Sequence, residues 1–173
     1  TLKTVPKIKR FYNLVSILGS GYVQVGKFDI GPLFSTLGYN DVEGQRVRFG
    51  GRTYFGPNDP WRIQGYTAYG FKDDKVKYGI NARVMLDKKK RFIVSFGNRR
   101  DVEQIGVSLT TSNDVLGRSF ASSSFFSSGT NNKLTNVNLT NLGFEIEPVK
   151  NLVFESSFSY RTLSSASSEF KLD

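Results

Sequence analysis

The chain of 173 residues has no cysteine and no histidine, one methionine and one tryptophan. Without cysteine there is no disulfide to report a redox compartment and no thiol nucleophile. Without either residue there is no Ser-His or Cys-His machinery and no zinc site of the usual kind. Catalysis would have to rest on Asp, Glu, Ser, Lys or Tyr, and no spacing of these converges on one place. The sequence therefore predicts a protein that is not an enzyme and uses no metal and no cofactor. Also missing is any apolar run near the roughly 20 residues of a membrane-crossing helix. Transmembrane β-strands stay open, because their signature is weak alternation. With no initiator Met and no signal-peptide pattern, the chain reads as a mature protein or as a piece of a longer one.

What is present is positive charge and alternation. There are 24 Lys+Arg against 15 Asp+Glu, a formal charge of +9. That suits anionic partners, lipid headgroups or nucleic acid, without choosing between them. In "PKIKRFYNLVSILGSG", Ile8, Phe11, Tyr12, Val15 and Leu18 recur at steps of three and four between Pro6 and Gly19. This predicts a short amphipathic helix over about 7–18, within a lead-in of residues 1–20, with Lys3, Lys7, Lys9 and Arg10 as a basic flank.

From Gly21 the period becomes two, and residues 21–173 read as one β region. In "VEGQRVRFGGRTYF", Arg46, Arg48 and Arg52 share one face, and Val47, Phe49 and Thr53 the other. Trp61, Ile63, Tyr69 and Phe71 oppose Arg62 and Gln64. Val76, Tyr78, Ile80, Ala82, Val84 and Leu86 alternate with Lys77, Asn81, Arg83 and Asp87. Phe92, Val94 and Phe96 form a further apolar series that Ile93 interrupts, and Leu152, Phe154, Phe158 and Tyr160 oppose Glu155, Ser157, Ser159 and Arg161. Turn signals fall at 56–60, 72–75, 87–90 and 147–151, which predicts about eight strands. Residues 103–133, rich in Ser, Thr, Asn and Gly, read as one long polar loop.

A soluble sandwich and a membrane barrel both alternate. Three features favour the barrel: bulky charges in mid-strand (Arg48, Arg62, Arg83), aromatics near strand ends (Phe55, Trp61, Phe71, Tyr78, Phe92, Tyr160), and strands of ten residues or more. The segments "GYVQVGKFDIGPL" (21–33), "YNDVEGQRVRFGGRT" (39–53) and "AYGFKDDKVKYG" (68–79), taken together, resemble the barrel region of a Bacteroidota outer-membrane family of the DUF5686 type. That family joins a carboxypeptidase-regulatory-like domain, which has no counterpart here, to a C-terminal β-barrel. The resemblance implies a bacterial outer-membrane location and, more weakly, likeness to Omp85-type barrels that assemble or export outer-membrane proteins.

The most loaded motif is "VEGQRVRFGGR". Glu43 with Arg46, Arg48, Arg52, Arg62 and Arg83 forms a candidate charge cluster that would line a lumen or meet an anionic ligand; inward charges also pair across strands simply to avoid unpaired burial. Gly50 and Gly51 predict a bend or bulge. Asp73 and Asp74 read as turn formers rather than metal ligands. "GSGYVQVG" lacks the Lys-Ser/Thr of a phosphate loop. "DKKKR" (87–91) reads as a turn at a solvated membrane-facing rim, with binding of lipid phosphates or nucleic acid as the alternative.

The expected architecture is thus an all-β, antiparallel transmembrane β-barrel, or a segment of one, with Val76, Ile80, Val84, Phe154 and Phe158 facing lipid. Its expected role is structural or assembly-related in envelope biogenesis or transport, through outer-membrane lipids and other envelope proteins in a complex, with no nucleic acid. The alternative from another class is a soluble basic β-barrel or sandwich that holds nucleic acid or another polyanion on its arginine face.

Overall fold

A computed structural model describes residues 21–33, 36–53, 59–104 and 134–166. They form one antiparallel sheet of nine strands: β1 (Val23–Val25), β2 (Phe28–Ile30), β3 (Leu37–Asn40), β4 (Gly44–Thr53), β5 (Trp61–Gly70), β6 (Lys75–Asp87), β7 (Phe92–Gln104), β8 (Leu134–Val149) and β9 (Leu152–Ser165). From β4 onward each strand pairs with the next along the chain, a meander. β2 and β3 lie end to end against one edge of β4: β2 pairs with Gly51–Thr53, and β3 with the stretch from Gly44 to Val47. Gly31 N donates to Gly50 O at 2.9 Å and Arg48 N to Thr36 O at 2.7 Å at either side of the break. Counted as one interrupted strand, the two make the sheet eight positions wide, the number that the alternation predicts.

β1 and β9 are the edges of this sheet, and it does not close into a barrel among the described residues. The helix expected over 7–18 lies outside the described residues. So does most of the loop expected at 103–133. Residues 103 and 104 are strand, the last two of β7.

The strands are long because turn chemistry is confined to a few places. The β8–β9 hairpin turns on Lys150 and Asn151, with Asn151 at φ 68°, a left-handed conformation that Asn adopts readily. Asp74 closes the β5–β6 turn at φ 49°. In the β6–β7 turn, Asp87 Oδ1 accepts from the backbone of Lys89 at 2.7 Å and of Lys90 at 3.3 Å, the local bonding that makes Asp a turn former. Gly50 and Gly51 run in unbroken register with Tyr66 and Gly65, so the bulge expected there is absent from the β4–β5 pair. They serve close approach instead. A Cβ on Gly50 would come within 3.0 Å of Gly31 O and of Tyr66 Cβ, beside the break between β2 and β3.

Register fixes two faces. Val47, Phe49, Trp61, Ile63, Tyr69, Val76, Tyr78, Ile80, Val84, Phe96, Leu142, Phe154, Phe158 and Tyr160 lie on one, the apolar face. Arg46, Arg48, Arg52, Arg62, Tyr66, Lys77, Arg83, Arg99, Asp101 and Glu103 lie on the other, the charged face. Burial runs opposite to a soluble protein's. Among the described residues 25 large hydrophobics are exposed and only seven hydrophobics are buried, whereas 13 polar or charged residues are buried. A water-soluble sheet reverses that pattern on at least one face.

Candidate functional site

The charged face holds two arrangements. Nearer the β3–β4 and β5–β6 turns is a closed network. The turn carrying Asn40 and Glu43 delivers Glu43 to the start of β4, where Asn40 Oδ1 accepts from Glu43 N at 2.8 Å and Asn40 Nδ2 donates to Glu43 Oε2 at 2.6 Å. Arg46 Nη1 donates to Glu43 at 2.9 Å and to Asp101 Oδ1 at 2.7 Å, and Arg46 Nη2 to Asp101 Oδ2 at 2.9 Å. Lys77 Nζ joins Glu43 at 2.7 Å to Asp73 at 2.5 Å. Tyr66 OH donates to Asp101, and the Arg48 guanidinium lies 3.7 Å from the centre of the Tyr66 ring. Three cations (Arg46, Arg48, Lys77) thus face three carboxylates (Glu43, Asp73, Asp101), and the network is balanced in charge. Balance is what makes such burial tolerable, since an uncompensated buried charge costs several kcal/mol.

The Arg46–Asp101 pair also reports shape. β4 and β7 are three steps apart in the sheet, which on a flat sheet is about 14 Å. An arginine and an aspartate standing perpendicular to a flat sheet do not close that gap. Their two-pronged bond requires the sheet to curl toward its charged face.

The other arrangement is open. Toward the β6–β7 and β8–β9 turns a cavity of about 210 Å³ is lined by Arg62, Gln64, Asn81, Arg83, Glu145 and Glu155. Register explains the room: Arg62, Arg83, Ser95, Gly143 and Ser157 form one row across β5 to β9, so along that row the two arginines are followed only by small residues. Two like-charged pairs sit directly opposite in register here, Arg62 with Arg83 and Glu145 with Glu155, each an unfavourable placement. Arg62 is relieved by Asp59 at 2.8 Å. Arg83 makes no ion pair among the described residues.

The candidate residues therefore separate. Glu43, Arg46 and Arg48 come together at the closed end. Arg52 pairs instead with Asp29 at 3.1 Å and stacks 4.2 Å over Tyr22. Arg62 and Arg83 line the open cavity. Val76, Ile80, Val84, Phe154 and Phe158 are all exposed on the apolar face. Of the end-of-strand aromatics, Trp61 and Phe92 begin strands and Phe71 follows one, whereas Tyr78 lies inside β6 opposite Thr67 and Tyr160 well inside β9 opposite Thr140; Phe55 lies outside the described residues. Asp101, the hub of the network, was not a sequence candidate, nor were Tyr66, Lys77, Arg99 and Glu103. The available signal was parity in "RFIVSFGNRRDVEQ": Ser95, Gly97, Arg99, Asp101 and Glu103 continue the polar series. Among the described residues no group of three or more acids is placed to hold a metal.

A single curled antiparallel meander, with ion pairs buried on one face and large apolar side chains bared on the other, defines an all-β protein of inverted face polarity. The chain belongs to the DUF5686 family: residues 19–166 match its C-terminal domain, and the family's function is unknown. No curated protein and no solved structure matches the chain.

Proposed function

We propose that this chain is a wall segment of a bacterial outer-membrane β-barrel, non-enzymatic, with a structural or assembly role in envelope biogenesis or transport exerted through lipids and other envelope proteins. The inverted burial carries the reading. Phe158, Phe154, Val76, Ile80 and Val84 stand exposed on long strands, Phe158 at 65%, while Arg46 at 1% and its partners are buried on the opposite face. Lipid is a solvent for the first face, and an aqueous or salt-bridged interior suits the second. Strands of 10 to 16 residues meet or exceed the roughly 9–11 that a tilted crossing needs. No helix among the described residues is long and apolar enough to cross a membrane.

A soluble polyanion-binding domain fits less well. Arg46 and Arg48 are buried, and Arg46 is already committed to Glu43 and Asp101. To test the reading, the full-length native protein is tagged, the envelope is fractionated, and the membrane fraction is run on a detergent gel with and without heating. Outer-membrane recovery with a heat-dependent mobility shift is expected. A soluble protein with no shift would sink the proposal and send the arginine face to polyanion-binding assays.

A further inference from the structure

The β6–β7 and β8–β9 turns stand side by side, tied by a 2.7 Å bond from Glu147 N to Lys90 O. They carry Lys88, Lys89, Lys90 and Lys150, all exposed. The nearby acids are already engaged. Asp87 accepts from the turn backbone, and Arg91 lies 3.5 Å from Glu145 and 3.6 Å from Glu147. Among the described residues the four ammonium groups have no ion-pair partner. Next to them, exposed, are Leu86, Val149, Leu152 and Phe154. At the opposite end Lys77 is held by Asp73 and Glu43 and Lys72 donates to Asp41 O at 2.6 Å, while Lys75 and Arg100 are exposed without an ion pair among the described residues, two cations against the four here.

A cluster of unneutralised ammoniums set immediately beyond an apolar band matches the layering of a bilayer leaflet, acyl chain and then phosphate. We infer that Lys88, Lys89, Lys90 and Lys150 form a docking site for the phosphate groups of anionic phospholipids, with the adjoining apolar residues against the upper acyl chains. The inference rests on the membrane reading above. It also sets an orientation: the longest connection between described strands, residues 105–133 between β7 and β8, lies at the other end, and in outer-membrane barrels the long loops are extracellular and the short turns periplasmic. The leaflet at that level is phospholipid.

The test uses the full-length native protein reconstituted into phosphatidylcholine vesicles that contain trace spin-labelled phosphatidylglycerol or spin-labelled phosphatidylcholine. The protein should immobilise the labelled phosphatidylglycerol in clear preference, each lysine contributing roughly fivefold at low salt. The preference should fall as salt rises and vanish in the Lys88→Gln, Lys89→Gln, Lys90→Gln, Lys150→Gln variant. Equal immobilisation of the two lipids, or a wild-type preference untouched by molar salt, overturns the site while leaving the membrane reading standing. A full-length wild-type protein that shows no heat-dependent gel shift in vesicles overturns the membrane reading and the lipid site with it.

Discussion

Asp101→Ala isolates the energetic meaning of the buried network. Arg46 is 1% exposed and bonded to both oxygens of Asp101, at 2.7 and 2.9 Å. Removing the carboxylate leaves a buried guanidinium with Glu43 as its remaining partner, and takes away the acceptor for Tyr66 OH and for Val102 N at 2.8 Å. Breaking one side of a buried pair costs about 3–5 kcal/mol. The control is Glu145→Ala, whose partner Arg91 is 3.5 Å away and 53% exposed. Such an exposed pair is worth about 0–1 kcal/mol, and the change also relieves Glu155 of the like charge opposite it. Both variants are measured by denaturant titration of the refolded chain in detergent micelles, with the mobility shift on gels as the folding readout. Asp101→Ala should shift the midpoint far more than Glu145→Ala. In a double-mutant cycle, Arg46→Met and Asp101→Ala should be non-additive by about 1 kcal/mol or more. Equal effects of Asp101→Ala and Glu145→Ala, or additivity in the cycle, would refute the claim that this long-range pair holds the curl of the sheet.

Three further outcomes follow from the same faces. Ile80 is 46% exposed on the apolar face, so Ile80→Arg separates two solvents: roughly 2–4 kcal/mol of destabilisation at a bilayer midplane, against about 0.5 kcal/mol or less for an ordinary water-exposed position. Stability in vesicles decides, and a neutral result contradicts lipid contact. Trp61, the single tryptophan, begins β5 on that face; its fluorescence should be quenched by brominated acyl chains once the chain is folded in vesicles, and unquenched emission would count against the placement. Arg83→Leu should change stability by less than about 1 kcal/mol, since Arg83 makes no ion pair among the described residues and opposes Arg62; a large loss in the same titration would reveal a partner.

How much of this was legible in the sequence depends on range. Parity is local, and it placed Val76, Ile80, Val84, Phe154 and Phe158 on one face and Arg46, Arg48, Arg62 and Arg83 on the other, as the register has them. Turn chemistry is local too, and it located the turns beside Asp73, Lys89 and Lys150. What parity does not contain is which candidate meets which. Arg46 and Asp101 are 55 positions apart, and their meeting depends on curvature accumulated over three strands. Arg52 and Arg62 were drawn into one cluster by parity, yet their acids, Asp29 and Asp59, belong to a short strand and to a connection. The interruption between β2 and β3 was equally invisible, because pairing against β4 defines it.

Register also shows what no single strand reveals, that the apolar band runs obliquely. On β6 every residue of the apolar face from Val76 to Leu86 is apolar. Directly opposite on β7, Ile80 meets Asn98 and Tyr78 meets Arg100, and beyond them on β8 lie Thr140 and Asn138. Asn98 Nδ2 donates to Thr140 Oγ1 at 2.9 Å, so that polar stretch satisfies part of its own bonding. On β7 to β9 the apolar residues concentrate toward the short turns: Phe96, Leu142 and Phe158 in one row, Val94 and Phe144 in the next. A slab of lipid crossing strands tilted by about 35–45° cuts each strand at a different level and produces an oblique band of this kind. A flat protein interface would follow the rows. The slant is what the proposed lipid contact predicts, and under that proposal the polar stretch of Asn98, Arg100, Asn138 and Thr140 lies beyond the bilayer, on the side opposite the four lysines.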